Sequence, residues 1–465
     1  MQKADLLNKL TQQNPWWEGD LSSLEGIESV KRDLFPKIIK SLDLKMITSI
    51  IGLRRTGKST LMKQVLKYLL KHKTKNVCYF SFDKALLSST PNLLEEIIEF
   101  YIYEHLKTSP AELKEQVYIF LDEIQYIDYW QDVIKRYYDI SSKIKFIVSG
   151  SFSSYLSLKS TESLAGRVFE YHLTPLSFHE YLRLKYQKNL KRKSNLNLRL
   201  LKHLVRRRQA SLSKFQKQYQ SEFEDYLLTG AFPETLNFDN DRQLSYEYIK
   251  SSVFEKIIDS DIPKIFNIDK KYELSILAKC LIQDSSSIYE AKNLAQDLGI
   301  DQETCARYIE ILEQACLIGR IYKYSKSLRK HARSSKKAYS ASANLIAAIL
   351  NIDPRQNILF QELSGKLVEN YIFERLSYNF ENVCFFRERE SEIDFGFGDG
   401  LVKKKSDLVW LEVKYKNNVK AKDLKFFKKF LKAEGIKEAL VITKDLLKVE
   451  IEDQTKIYYV PALLV

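Results

Sequence analysis

Residues 50–60, Ile50-Ile51-Gly52-Leu53-Arg54-Arg55-Thr56-Gly57-Lys58-Ser59-Thr60, join an apolar strand end to a helix through a loop bracketed by two glycines. The spacing fits G-x-x-x-x-G-K-S without a mismatch, and such a loop needs a buried strand before it and an amphipathic helix after it. Both are written in the chain. Residues 46–51 read as the strand, and Leu61, Val65, Leu66 and Leu69 form an apolar face at helical spacing behind the loop. Gly52 and Gly57 allow backbone angles that a side chain would block, so the amides from Arg55 through Thr56, Gly57, Lys58, Ser59 and Thr60 can curl around a polyphosphate at the helix N-terminus. Lys58 is expected to reach the outer phosphates and Ser59 to ligate magnesium.

The partners such a loop needs lie downstream. Residues 76–82 read as a second strand, and 92–106 as a helix with apolar positions at Leu93, Leu94, Ile97, Ile98 and Tyr101. Residues 117–121, Val-Tyr-Ile-Phe-Leu, form an unbroken apolar run ending in Asp122-Glu123, as a central parallel strand does when its C-terminal edge opens on a ligand. The acids can divide the labour: Asp122 would hold magnesium through its water shell, and Glu123 would orient and deprotonate the attacking water. The next strand ends in Ser149-Gly150-Ser151, where a hydroxyl is expected to touch the terminal phosphate or the water, with Ser149 as the candidate. Leu164-Ala165-Gly166-Arg167 offers an arginine just before a further strand at 168–173. Arg167 is read either as a stabiliser of phosphoryl charge, in its own subunit or a neighbour, or as an ordinary ion-pair cation. The adjacent Trp16 and Trp17 are expected to pack rather than to stack on a base.

Together Gly-Leu-Arg-Arg-Thr-Gly-Lys-Ser-Thr, Leu-Asp-Glu-Ile-Gln, Ser-Gly-Ser, Leu-Ala-Gly-Arg and the following Leu173-Thr174-Pro175-Leu176-Ser177-Phe178 resemble the AAA+-related prokaryotic ATPases often called archaeal-type ATPases. The resemblance covers residues 14–182 and implies a P-loop αβα sandwich that binds ATP with Mg2+. Lys58, Ser59, Asp122 and Glu123 carry over as binding and hydrolysis residues, Ser149 and Arg167 less directly.

Charge is local. The formal net charge is +14, yet residues 183–217 hold thirteen cations and residues 320–337 hold eight, neither stretch with an acid, which leaves the rest of the chain at −7. Such concentration favours a polyanion-binding surface, nucleic acid and DNA in particular, over a merely soluble exterior, the alternative being a solvated lysine-rich face. Residues 183–226 read as a basic helical arm, anchored at one end by a partial stripe of Leu196, Leu198, Leu201, Leu204 and Val205, with Arg206, Arg207 and Arg208 as its densest cations. Residues 294–300 and 301–312 form two short amphipathic helices around Gly299, with Asp301 capping the second, a helix-turn-helix pattern. Residues 318–339 then read as the hairpin of a winged helix. With Cys305, Ile309, Leu312 and Cys316 turned to the core, the second helix would expose Glu303, Arg307, Glu310 and Gln314, and two carboxylates there would meet phosphates badly. Contact by the wing alone is therefore favoured over groove reading.

Towards the end of the chain, Leu411-Glu412-Val413-Lys414-Tyr415 puts Glu412 and Lys414 on one face of an apolar strand. Two charges there are costly to bury without a metal or partner. Asp394, eighteen residues earlier, supplies a second carboxylate, and Glu369 on the preceding helix a third. Such acids suit magnesium, which would activate water beside Lys414 for phosphodiester attack. The arrangement resembles PD-(D/E)xK nucleases and the nuclease-fold domain commonly fused to these ATPases, over roughly residues 225–460; the aspartate that resemblance implies after Lys337-Ala338-Tyr339 is replaced by serine.

The expected architecture is α/β: a P-loop αβα sandwich (1–182), a basic helical arm (183–226), a helical and winged-helix domain (227–350) and a PD-(D/E)xK-like α/β domain (351–465). Five scattered cysteines give neither a disulfide framework nor a zinc site, and the absence of a leader or spanning run points to a cytoplasmic protein away from membranes. The expected function is an ATPase acting on nucleic acid as an ATP-regulated, metal-dependent nuclease. The alternative is a regulatory ATPase switch whose nuclease-like domain binds a protein or nucleic-acid partner without cutting. A homo-oligomer is left open.

Overall fold

The computed structural model describes residues 3–27, 30–82, 92–151, 164–187, 209–325, 334–353, 357–416 and 418–465. The chain forms two compact units, one of residues 1–174 with 264–267 and 314–316, the other of 175–263, 268–313 and 317–465. Among the described residues, no helix is long and apolar enough to cross a membrane.

The first unit contains α1 (Lys3–Gln13), β1 (Ile47–Ile51), α2 (Lys58–His72), β2 (Val77–Ser81), β3 (Val117–Asp122), β4 (Ile144–Gly150) and β5 (Val168–His172). The strands form one parallel sheet in the order β2-β3-β4-β1-β5. Because β1, β3 and β4 are buried throughout, their side chains feed cores on both faces. Ile50, Tyr79, Phe120 and Ile147 pack with Leu61, Met62, Val65, Leu66 and Leu69 of α2 on one face. Ile51, Phe80, Ile119, Leu121 and Val148 pack with Leu94, Ile97, Ile98 and Ile134 on the other. The two tryptophans pack as expected: both indole N–H groups donate to the Val77 carbonyl, at 3.0 and 2.9 Å. Asn14 acts as a rung on edge strand β2, accepting from the Tyr79 amide at 2.7 Å and donating to its carbonyl at 2.8 Å.

The second unit contains α3 (Gln209–Thr229), β6 (Ile288–Tyr289), α4 (Ala291–Leu298), α5 (Gln302–Gln314), β7 (Ile318–Lys323), β8 (Lys336–Ser340), α6 (Asn357–Ser377), β9 (Asn382–Glu388), β10 (Ser391–Gly398), β11 (Val409–Lys414), α7 (Lys425–Ala433), β12 (Glu438–Thr443), β13 (Lys448–Glu452) and β14 (Thr455–Pro461). Its sheet has nine strands in the order β13-β14-β12-β11-β10-β9-β7-β8-β6. The expected boundary at 350 therefore does not interrupt the sheet, since β7 pairs in parallel with β9 through Tyr322 opposite Cys384 and Lys323 opposite Phe385. Phe427, Phe430 and Leu431 of α7 pack on Trp410, Val441 and Tyr459.

Gly299 takes the left-handed conformation (φ 64°) between α4 and α5, and Asp301 Oδ1 accepts from the Thr304 amide at 2.8 Å, as the helix-turn-helix pattern requires. Cys305, Ile309 and Leu312 are buried and Glu303, Arg307 and Glu310 are exposed, while Cys316 and Gln314, expected at the core and on the surface, are both half-buried. The leucine stripe at 196–205 and Arg206 to Arg208 lie outside the described residues, as does the hairpin tip at 326–333. The C-terminal part of the expected basic arm is α3, where Phe215, Phe223, Tyr226, Leu227 and Leu228 are core residues.

Candidate functional site

In the first unit the sheet order decides the site. The loop after β1, Asp122-Glu123 at the end of β3 and Ser149-Gly150-Ser151 at the end of β4 all lie at the carboxyl edge of a parallel sheet in which β3, β4 and β1 are neighbours. Arg55 (φ 67°) and Gly57 (φ 95°) are both left-handed, which curls the amides leading into α2. Gly52 is required for a second reason: a Cβ there would stand 2.2 Å from the Leu173 carbonyl oxygen. That close approach comes from the pairing that continues β1 into β5, with the Leu173 amide donating to Ile51 O at 2.7 Å.

Lys58 is buried, and its ammonium donates to the carbonyls of Gly52 (3.0 Å) and Leu53 (3.2 Å) and to Ser151 Oγ (3.1 Å). Thr56 Oγ1 donates to Leu53 O at 2.8 Å, and the buried Arg32 donates to Thr56 O at 2.6 Å and Thr174 O at 2.7 Å, tying the loop from behind. Ser59 is half-buried and Thr60 exposed on the first turn of α2.

The acids are held by neutral donors. Asp122 receives the Tyr79 hydroxyl on Oδ2 at 2.8 Å and the Ser149 hydroxyl on Oδ1. Burial, with the Asp122 carboxylate alongside, pushes the Tyr79 phenol well up, so it remains a donor. Ser149 Oγ also accepts the Glu123 amide at 3.2 Å. Glu123 sits in the left-handed region (φ 56°) and receives Gln125 Nε2 at 2.5 Å on Oε2. Ser149 is thus committed to the two acids, and Ser151 is the hydroxyl beside Lys58, which differs from the role expected for Ser149. Among the described residues Asp122 forms no ion pair, and both its oxygens accept from neutral hydroxyls.

Arg167 is not brought to this site. It precedes β5, its carbonyl accepts from the Ile47 amide at the start of β1, and its guanidinium lies 3.4 Å from Asp139. The phosphate loop is at the other end of β1, about 16 Å away at 3.3 Å per residue. The expected action within its own subunit is therefore overturned by the parallel pairing of β1 with β5.

The second cluster lies in the second unit. The β9–β10 register shifts by one between Ile393 and Gly396, so Asp394 and Phe395 together oppose Phe385. This β-bulge re-aims Asp394, whose Oδ2 accepts the Val413 amide of β11 at 2.7 Å. Lys414 donates to Glu412 Oε1 at 2.5 Å, and the buried Glu412 Oε2 has no hydrogen-bond partner among the described residues. Burial, then the Asp394 carboxylate, raises the Glu412 carboxyl well above the usual carboxylate range. Asp394, Glu412 and Lys414 therefore lie close together.

Glu369 is near them electrostatically but is engaged elsewhere. Its Oε1 accepts the Tyr339 hydroxyl at 2.9 Å and the Lys337 ammonium at 3.4 Å, and Lys337 also pairs with Glu392. Among the described residues no three His, Cys, Asp or Glu side chains are grouped so as to hold a metal ion. The expected three-carboxylate set of Glu369, Asp394 and Glu412 is thus not grouped as a metal site: Asp394 lies beside the Glu412 strand, while Glu369 faces a lysine.

Comparison with known proteins separates the two units. The AAA domain family matches residues 44–182. The chain carries an AAA-type ATPase domain. Residues 220–356 and 364–463 match two domains of unknown function, DUF8612 and DUF4143. An uncharacterized protein of Methanocaldococcus jannaschii is 30% identical over 314 residues, 63% of this chain and 60% of that protein, so the chain covers less than two thirds of its length. A second from the same organism is 25% identical over 88% of this chain and 84% of its own. An uncharacterized Haemophilus influenzae protein is 23% identical over 93% of this chain and 98% of its own. Among solved structures, Cdc6p from Pyrobaculum aerophilum is 11% identical over 71% of this chain and 97% of that one, with a TM-score of 0.30. C. elegans PCH-2 is 14% identical over 36% and 50%, with a TM-score of 0.27. At these scores the ATPase assignment rests on the domain match.

Sequence reasoning missed Arg32, Tyr79 and Lys337 as site residues, and named Ser149 where Ser151 is the hydroxyl beside Lys58. Arg32 and Tyr79 lie outside any local motif. Lys337 carried a usable signal, because Lys337-Ala338-Tyr339 on a strand puts lysine and tyrosine on one face.

Proposed function

We propose that the chain is an ATP-hydrolysing protein that acts on nucleic acid, with the ATPase of its first unit regulating a nuclease-like second unit. The observation that carries the ATPase reading is the alignment of three strand ends, which places Lys58, Ser59, Asp122 and Glu123 at one sheet edge. Bound MgATP would supply the transferable phosphoryl group and the charge that polarises it. Lys58 would leave the carbonyls of Gly52 and Leu53 for the outer phosphates, Ser59 and Asp122 would hold the cation, and Glu123 would take the proton from the attacking water. Gln125 and Ser149 position that acid. Assembly into a homo-oligomer belongs to the same reading.

Two features support nucleic acid as the polymer: the local basic stretches, and the order α4, α5, β7, β8 with β6 alongside, which is that of a winged helix. The cation count needs trimming, because Arg320 pairs with Glu313 and Lys337 with Glu369 and Glu392. Asp394, Glu412 and Lys414 around the bulge favour metal-dependent phosphodiester cleavage. The withdrawal of Glu369 favours the second reading, a domain that binds nucleic acid or a protein partner without cutting.

The test is ATP turnover together with cleavage of single-stranded, duplex and branched DNA and RNA. Lys58→Ala is expected to remove nucleotide binding, and Glu123→Gln to bind ATP while turning it over at least about a hundredfold more slowly. Wild-type rates in both variants defeat the ATPase assignment. Asp394→Ala is expected to abolish cleavage, and intact ATPase without cleavage in the wild type selects the non-cutting reading. DNA affinity is expected to fall steeply with salt; a flat salt dependence counts against nucleic acid.

A further inference from the structure

The nuclease-like reading of the second unit calls for divalent metal at its carboxylate cluster, and the donors present match that demand only in part. Lys337 is 2% exposed, on β8, and reaches two carboxylates carried by different elements, Glu369 of α6 and Glu392 of β10. A buried ammonium is costly unless paired, and here pairing is supplied twice. Tyr339, two residues on along the same strand, adds its hydroxyl to the oxygen of Glu369 that Lys337 touches.

We propose that Lys337 is a built-in cation of this cluster: it withholds Glu369 and Glu392 from divalent metal, and leaves Asp394 and Glu412 as the pair at which such a metal binds. This rests on the nuclease-like reading above. Three observations carry it. Glu369 Oε1 already accepts two donors, and a metal ion would have to displace an ammonium tethered to β8. Glu412 also gives Oε1 to an ammonium, that of Lys414 at 2.5 Å, but its Oε2 is buried without a hydrogen-bond partner among the described residues, so a cation there relieves an unpaired acceptor. Asp394 spends Oδ2 on the Val413 amide and keeps Oδ1 for a ligand. Magnesium is well served by two carboxylates completed by water or substrate phosphate, so the pair suffices without Glu369. The two ion pairs fix one positive charge beside these acids.

The test is Mn2+ binding to the full chain without nucleotide, followed by calorimetry and by the Mn2+ electron-spin-resonance signal. The wild type is expected to bind Mn2+ in a way that Asp394→Asn removes and Glu369→Gln leaves unchanged. Lys337→Met is expected to bind at least tenfold more tightly than wild type, and the double variant Lys337→Met/Glu369→Gln to lose that gain. A tenfold loss in Glu369→Gln alone, no gain in a folded Lys337→Met, or wild-type binding insensitive to Asp394→Asn overturns the proposal. Should Lys337→Met fail to fold, the Glu369→Gln comparison in the wild-type background still decides. Cleavage is not the readout, so a chain that binds Mn2+ as described but cuts nothing defeats the nuclease reading and leaves the metal assignment standing.

Discussion

At the scale of single residues, the first site is organised less by its charged groups than by the hydroxyls that hold them. Ser149 donates to Asp122 and accepts from the Glu123 amide, so one side chain fixes the relative positions of both acids. Removing it leaves the phosphate loop intact and loosens the hydrolytic group. Ser149→Ala is accordingly expected to retain nucleotide affinity within about twofold while kcat falls by roughly 10- to 100-fold, the size of a lost positioning or acid–base contribution. Equilibrium binding of a fluorescent ATP analogue alongside steady-state turnover separates the two quantities. Equal losses in both would mean that Ser149 serves the loop instead. The identities of Lys58, Ser59, Asp122 and Glu123 were legible because the motif fixes them in sequence. Tyr79, and which acid or lysine each hydroxyl of Ser149 and Ser151 serves, were not, since these groups converge only when three strands are laid side by side.

At the scale of elements, two local irregularities aim the functional side chains. One is the approach of β5 to the phosphate loop, which leaves no room for a Cβ at position 52. Gly52→Ala must push apart backbone atoms of Ile51 and Leu173 rather than a flexible side chain. It is expected to destabilise the first unit by roughly 2 kcal/mol or more and to weaken ATP binding with it, as denaturant unfolding and nucleotide titration would record. A stability within about 0.5 kcal/mol of wild type would show that the strand pairing yields at low cost. The other irregularity is the bulge at Asp394. The alternation of Glu392-Ile393-Asp394-Phe395 reads as a regular strand, and nothing in it announces the extra residue. The turn between α4 and α5 was legible because glycine and a capping aspartate punctuate it. Arg167 illustrates the converse: a suggestive local motif is carried by strand direction to the wrong end of the sheet.

At the scale of the whole molecule, the second unit buries several acids, among them Asp261, Glu374 and Glu412. Glu374 is fully enclosed, and burial, opposed by the charge of Arg375 and by hydrogen bonds from Ala343 and Asn370, pushes its carboxyl from an ordinary 4.5 up to about 7. A folded-state value above the unfolded one means that the native protein binds the proton more tightly. The associated stability is fully present below about pH 4.5 and is lost as pH rises through about 7. A shift of this size corresponds to roughly 3 kcal/mol across that window. Glu374→Gln, which cannot titrate, is expected to flatten that part of the decline in unfolding free energy between pH 5 and pH 8. An unchanged slope would assign the decline to other groups, with Glu369 and Glu412, both raised in the same direction, as the candidates.

What the sequence determined by itself was chemistry that short range enforces: the glycine-bracketed loop, the apolar strand ending in two acids, the capped helix pair and the two-residue spacing of Glu412 and Lys414. Each follows from backbone angles or from side-chain periodicity, which act within a few residues. The tertiary structure alone decided which of these groups meet. Sheet order set Lys58 beside Ser151, parallel pairing removed Arg167 from the loop, and one extra residue in β10 turned Asp394 onto β11. The nine-stranded sheet likewise carried Lys337 to Glu369 and Glu392, because strand pairing and packing join residues that lie 32 and 55 positions apart along the chain.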